Sequence, residues 1–416
     1  MKRWVNAGSN SCAFYESTLI IIRGQDVPTR ERLKPPPGDI PLSSFIPGSA
    51  LGVALASTLL CAPAHAADGF KLRYPLSGTL GGEVLAPIDK PGWFGSAMVT
   101  QIRVDKVTDD TGNSRQQPVA GTFATPAPVA GAVRTANFSG SVAIETEQDQ
   151  TQANLILGYL TQQTWAGGRL SFAVNVPYTT KLERKLALSG ATPALGTLQP
   201  ALTSPPLPPG AAATAQAAAQ AGFASGYQAN LAAQSAAGTV EMSGIGDVEV
   251  GAAWAWQQHQ LKVVAGAVLA LPTGEYDAAS TANIGFGNYY TLRPGVMVAW
   301  SPNQTITLAG KASFGISSRN KDNDVRSGNF AGIDAVAMTR TPIGVVGGQF
   351  IRVQQVQDDS GGTFGPNRFR ANGAGLFYTT LVPVLGAALN LQYMKMIDTR
   401  NAMSGSFYQV RLSKQF

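Results

Sequence analysis

The 416-residue chain carries only 13% charged residues alongside 46 glycines and 26 prolines, about half the charge of an ordinary soluble domain, which argues against a typical cytoplasmic enzyme. A mean hydropathy of +0.02, with no apolar run of about 18 residues beyond one interrupted stretch near the N-terminus, excludes a polytopic helical membrane protein. The net charge of +6 is too mild a surplus to call for nucleic acid.

The first element is an export signal. Residues 50–64 read ALGVALASTLLCAPA, an apolar core preceded by Arg30, Arg32 and Lys34 and followed by Ala64-His65-Ala66, the small-x-small pattern of a signal-peptidase site. Residues 1–66 are therefore expected to be a signal peptide with an upstream extension, and the mature chain to begin at Ala67. A retained anchor helix is the alternative, but Pro63 and the polar Asp68 speak for cleavage. Both cysteines, Cys12 and Cys61, fall in this segment, and His259 is the one histidine after it. Thiol chemistry, disulfides and Cys/His metal sites are thus excluded from the mature chain. No cofactor is expected. His259, beside a turn in a Trp-rich stretch, is expected at the surface and not as a catalytic base.

Residues 67–92 are expected to form an N-terminal periplasmic segment. Beyond it the chain alternates apolar and polar residues with period two in segments of about ten residues, the per-segment signature of a membrane β-barrel. Leu170, Phe172, Val174, Val176 and Tyr178 share one face, opposite Ser171, Ala173, Asn175 and Thr179. The pattern returns at Val248–Trp256, Ile306–Ile316, Leu385–Tyr393 and Tyr408–Phe416. Strands are expected at about 93–105, 152–164, 169–182, 246–257, 260–271, 288–301, 303–317, 328–340, 343–357, 370–382, 384–398 and 405–416. Every second joint is tight and the joints between are long, so the turns gather at one end and the loops at the other. The expected fold is therefore all-β: a closed antiparallel transmembrane barrel of about 12 strands over 93–416, with short periplasmic turns and long extracellular loops. Closure is required in lipid, where an open edge leaves backbone groups unpaired.

Trp165, Trp256 and Trp300 sit beside tight turns, as a periplasmic aromatic girdle requires. The terminal Phe416, in phase with Tyr408, Val410 and Leu412, resembles the C-terminal signature read by the barrel-assembly machinery, an expected partner beside the lipid bilayer. The Ala/Pro-rich insert 186–243 is expected outside the cell. Within it Phe223, Tyr227 and Leu231 recur at i, i+4, i+8 in an Ala/Gln background. A disordered loop and a short helix that lids or enters the barrel both fit.

The strand phase turns Val264, Val268 and Met297 inward beside Tyr289, Thr291 and Arg293. Such a lumen suits a neutral or weakly acidic aromatic better than bulk ions. Arg293 is the candidate to orient a phenolate or carboxylate, unless it pairs with Asp247 or Glu249 and only stabilises the wall. Asp247, with Glu275 and Asp277, is expected near the extracellular rim. Motifs of soluble chemistry, G-x-x-x-x-G-K-[ST], G-x-S-x-G and H-E-x-x-H, are absent, and no enzymatic role is expected.

Residues 74–103 (YPLSGTLGGEVLAPIDKPGWFGSAMVTQIR), 243–256 (SGIGDVEVGAAWAW), 271–300 and 344–359 (GVVGGQFIRVQQVQDD) carry one further likeness, most specific in G-I-G-D and P-T-G-E-Y-D. They resemble the family named for the meta-pathway of phenol degradation, whose members are regarded as outer-membrane transporters. The resemblance implies passive uptake of small hydrophobic or aromatic compounds, with a barrel lacking substrate choice as the alternative.

Overall fold

The computed structural model describes residues 72–74, 80–125, 129, 133–199, 208–278, 280, 282–361 and 368–416; the expected signal segment lies outside them. The wall consists of twelve antiparallel strands. In chain order these are β1 (Gly92–Val107), β3 (Thr135–Trp165), β4 (Gly168–Ser189), β6 (Glu249–Gln258), β7 (Leu261–Ala270), β8 (Thr291–Trp300), β9 (Ile306–Ser317), β10 (Phe330–Thr341), β11 (Gly344–Gln355), β12 (Arg370–Val382), β13 (Ala387–Arg400) and β14 (Met403–Gln415). Each pairs with its chain neighbour in the wall, and β1 closes the ring on β14 with Phe94 opposite Gln415. Two short strands, β2 (Gln116–Ala124) and β5 (Val240–Ile245), pair outside the ring with β3 and β4.

The alternation expected from the sequence is the alternation of the wall. Phe172, Val174, Val176 and Tyr178 are exposed on the outside, as are Ile306, Leu308, Phe314, Ile316, Tyr408 and Val410. Gln409, Arg411, Asn390 and Gln392 are buried on the inside. Tight turns link β3 to β4 and β6 to β7, where Ala166 (φ 48°), Gly167 (φ 76°) and His259 (φ 51°) adopt the left-handed backbone that two-residue hairpins demand. Trp93, Trp165, Trp254, Trp256 and Trp300 all lie at this turn end. The Trp254 indole N–H donates to the Trp165 carbonyl at 2.8 Å, and Trp93 meets Tyr159 edge-on at 5.2 Å.

β3 and β4 run far past the expected 152–164 and 169–182. The outward residues of β3 explain the difference. From the turn end upward they read Leu157, Leu155, Ala153, then Thr151, Asp149, Glu147 and Glu145. The outer face changes from apolar to charged at Thr151, so a strand recognised by lipid-facing residues ends there while the hydrogen-bonded ladder continues. β3 and β4 stay paired up to Ala143–Ser189.

This projecting hairpin carries the Ala/Pro insert. Helix α2 (Pro209–Ala237) lays Phe223, Tyr227 and Leu231, all buried, against Val119 and Phe123 of β2 and Phe138 and Val142 of β3. The Phe223 ring lies 4.7 Å from Phe138, 5.4 Å from Phe123 and 5.6 Å from Tyr227. The glutamines have their own task. Gln220 accepts from the Leu195 N–H at 2.7 Å, Gln216 accepts from Leu198 N–H at 3.0 Å, and Gln228 donates to the Gly190 carbonyl at 3.1 Å, so an irregular segment that bridges β3 only at Gly196 and Gln199 has further backbone groups satisfied by a helix face. The insert is a packed unit, and its aromatic stripe docks on the projecting sheet without entering the barrel.

Of residues 67–92, the described Leu72–Tyr74 and the single-turn helix α1 (Leu80–Glu83) with Val84 lie inside the barrel and not in the expected periplasmic position, while the exposed Lys90 and Pro91 lie beside the turn end. Leu80 and Val84 pack on inward residues of β8, β9, β10 and β12, namely Met297, Ala299, Ala309, Val336, Met338 and Phe377. The physical reason is that a twelve-stranded wall leaves a lumen its own side chains do not fill, and its inward charges need partners.

Candidate functional site

The lumen holds the segment at two levels. At α1, Glu83 pairs with Lys311 at 3.1 Å, Lys311 with Asp334 at 3.4 Å, and the Tyr74 hydroxyl donates to Asp334 at 2.9 Å. Lys262 donates to the carbonyls of Val84 at 2.9 Å and Ala86 at 2.6 Å. The Gly81-Gly82 pair permits this fit. A Cβ on Gly81 would lie 2.7 Å from the Phe377 ring, and one on Gly82 only 1.6 Å from the Arg411 guanidinium.

The second level is built around Arg73. Its Nε and Nη2 donate to one oxygen of Asp247 at 3.0 and 2.7 Å, Nη2 also donates to the Gly287 carbonyl at 2.9 Å, and Nη1 donates to the Tyr289 carbonyl. The guanidinium stacks 4.2 Å from the centre of the Tyr289 ring. Asp247 is buried and receives two further donors, the N–H of Gly274 at 3.0 Å and of Phe286 at 2.9 Å. Both come from the segment 271–300 that carries P-T-G-E-Y-D, while Asp247 itself closes G-I-G-D. A Cβ on Gly274 would meet Gly285 Cα at 2.7 Å and the carbonyl carbon of Gly246 at 2.9 Å. The glycines of the two motifs let three backbone segments touch, and the aspartate between them gains a cradle of N–H donors.

Arg293 stands one level of contact away. It donates to the Arg73 carbonyl at 2.8 Å and pairs with Glu249 at 2.6 Å, so the geometry is that of the wall-pairing alternative. Of the six residues expected in a site, Asp247, Tyr289 and Arg293 meet around Arg73. Val264 and Met297, partners in register, pack on α1. Val268 lines a cavity.

That cavity measures about 570 Å³ and lies between the Arg73 level and β1, β3, β4 and the β11–β14 wall. One side is apolar, with Met98, Ile102, Ile351, Met396, Met403 and Phe407. The other is a ladder of amides on the inner face of β3. Gln148 donates to Gln150 at 2.9 Å, Gln150 to Gln152 at 3.2 Å, Gln152 to Asn154 at 2.9 Å, Asn154 to Asn175 at 3.0 Å and Asn175 to Glu249 at 3.2 Å. Arg184 donates into the first rung at 2.8 and 2.6 Å. A donor-only cation at one end and an acceptor-only carboxylate at the other fix every amide in one direction. Sequence reasoning missed this ladder, although Gln148-x-Gln-x-Gln-x-Asn154 at spacing two was visible. It also missed Arg73, Tyr74 and Glu83, which follow no local period.

A closed barrel with an apolar outer belt, an aromatic girdle and both wall termini at the turn end is an outer-membrane protein of a bacterium. Residues 130–412 match the family described as the MetA-pathway of phenol degradation, and the chain belongs to that family. No curated protein sequence matches it. Among solved structures it is similar to an outer-membrane channel from Pseudomonas putida F1, with TM-score 0.54 and 12% identity over 80% of this chain and 97% of that one. The monoaromatic hydrocarbon channel CymD (TM-score 0.34, 11% identity, 79% and 90% coverage) and the NanC porin (0.33, 8%, 77% and 98%) are too distant in shape to bear on function.

Proposed function

We propose that this chain is a channel, not an enzyme, for passive uptake of small hydrophobic or aromatic compounds across the outer membrane. The observation that carries the reading is the cavity with one apolar, methionine-rich wall and one amide wall, inside a lumen narrowed by the chain's own N-terminal segment. Such a space accommodates a ring on one side and a polar edge on the other. The P. putida relative, an outer-membrane channel by name, supports the same reading. His259, exposed at the β6–β7 turn, lies at the opposite end from where a surface hydrolase would need it. Phe416, exposed beside the β1–β14 seam, is in position to be read by the barrel-assembly machinery.

Swelling rates of liposomes holding the purified protein test the proposal. Phenols should enter faster than sugars of similar size, and equal rates would leave a general barrel without substrate choice. Within this reading Arg293, Tyr289 and Asp247 hold the segment that narrows the pore, while Val268 touches the solute. Arg293→Gln is therefore expected to leave the benzoate-to-toluene uptake ratio of cells unchanged. Its effect should be a loss of roughly 1–3 kcal/mol in barrel stability, followed by heat-modifiability on gels, because Glu249 loses its charged partner. A changed ratio would return Arg293 to direct contact with the solute.

A further inference from the structure

A second row of polar groups leaves the cavity and descends toward the turn end. Gln152 of β3, a cavity residue, pairs in register with Thr100 of β1, Thr100 with Gln409 of β14, and Gln409 with Gln392 of β13. Asn390, the next inward position of β13 toward its start at Ala387, stands opposite Thr379 of β12. Neighbouring strands lie about 4.8 Å apart, so successive groups are within reach of one small molecule. The row passes beside α1: Arg411, in register with Asn390, is the residue that lies against Gly82.

The β3 ladder, Gln152 included, consumes its own hydrogen bonds; the row beyond Gln152 does not. Gln409 donates to Thr100 at 3.2 Å and Asn390 donates to Thr379 at 2.7 Å. Yet Gln409 Oε1, Asn390 Oδ1 and both polar atoms of Gln392 have no hydrogen-bond partner among the described residues, although the three residues are only 1%, 3% and 5% exposed. Gln349 of β11, separated from Gln392 by β12, is in the same condition. Buried amides without partners are costly, and methionine or leucine would fill the same wall without that cost. Apolar side chains adjoin the row: Met394 and Phe407 pack with Ile351, and Phe377 is in register with Gln392.

We propose that Gln152, Gln409, Gln392 and Asn390 form a binding track that carries the hydroxyl or carbonyl substituent of a ring compound from the cavity, past the lodged N-terminal segment, to the turn end. The ring stays against Met394 and Phe407, the latter also a cavity residue, while its polar edge exchanges one amide for the next. The track rests on the channel reading above and adds the substrate class, rings with a hydrogen-bonding edge.

The test is single-channel current block by phenol and by toluene in planar bilayers, for the full chain and for Gln392→Met and Gln409→Met, singly and together. Methionine matches glutamine in length and removes the amide. The double variant should bind phenol about tenfold more weakly, the size of one lost hydrogen bond, and toluene as before. An unchanged phenol affinity, or an equal fall for both blockers, would overturn the track and leave the amides to water. Should a methionine variant fail to insert, Gln392→Asn, which keeps the amide but withdraws it by one methylene, should weaken phenol alone; equal effects would again overturn it. A wild-type channel blocked by neither compound would sink the channel reading itself, a different result from an unchanged ratio.

Discussion

Arg73→Gln should turn the proposed selective channel into a leak. Arg73 contributes two hydrogen bonds to a buried carboxylate, two more to backbone carbonyls and a stack on Tyr289. Breaking a buried pair by removing one partner typically costs about 3–5 kcal/mol, because the other charge stays behind without compensation. Among the described residues, Asp247 would keep the N–H groups of Gly274 and Phe286 but no cation. A change of that size raises the population with the N-terminal segment released on the order of a hundredfold or more. The signature is a larger single-channel conductance together with sugar and phenol swelling rates that converge. Asp247→Asn should act in the same direction. If Arg73→Gln is inserted and heat-modifiable yet conducts as the wild type does, the segment does not set the pore.

Phe223→Ala should dismantle the projecting unit and spare the barrel. Phe223 is fully buried and touches three aromatic rings contributed by β2, β3 and α2 itself. Removing a buried phenyl group costs about 3–5 kcal/mol, and few other large side chains hold α2 to the sheet. External protease should then cleave within 190–238 on intact cells, while the barrel keeps its resistance to detergent and its migration when unheated. Protection equal to wild type would mean that Tyr227, Leu231 and the glutamine contacts to 190–198 hold the helix without it.

The wall was legible because lipid imposes a rule on every wall strand: apolar outward at alternate positions. Where that rule lapses, so did the reading. The upper halves of β3 and β4 carry Glu145, Glu147, Lys181 and Glu183 outward, and β2 and β5 pair only with those upper halves. The lumen is harder still. Asp247, Arg293 and Val268 could be turned inward by phase, but the residues they serve could not be named. The position of Arg73 and α1 follows from the shape and charge of a lumen assembled from strands as distant in sequence as the one bearing Arg411, and no local period encodes it. The glutamine stripe of β3 was a missed signal of a different kind, since its polar residues alternate as cleanly as the leucines below them.

The change of β3's outer face at Thr151 also sets a height. Residues 135–151 continue beyond the apolar belt as an unbroken strand, and at about 3.3 Å per residue they reach roughly 50 Å along the strand. The even-numbered face that lines the lumen below is the face that Phe223 and Tyr227 cover above. The helix is thereby carried well clear of the lipid headgroups, on a stalk rooted in the same two strands that bear the amide ladder. An alanine-rich helix face, and not the amide ladder, thus caps the far end of this strand pair.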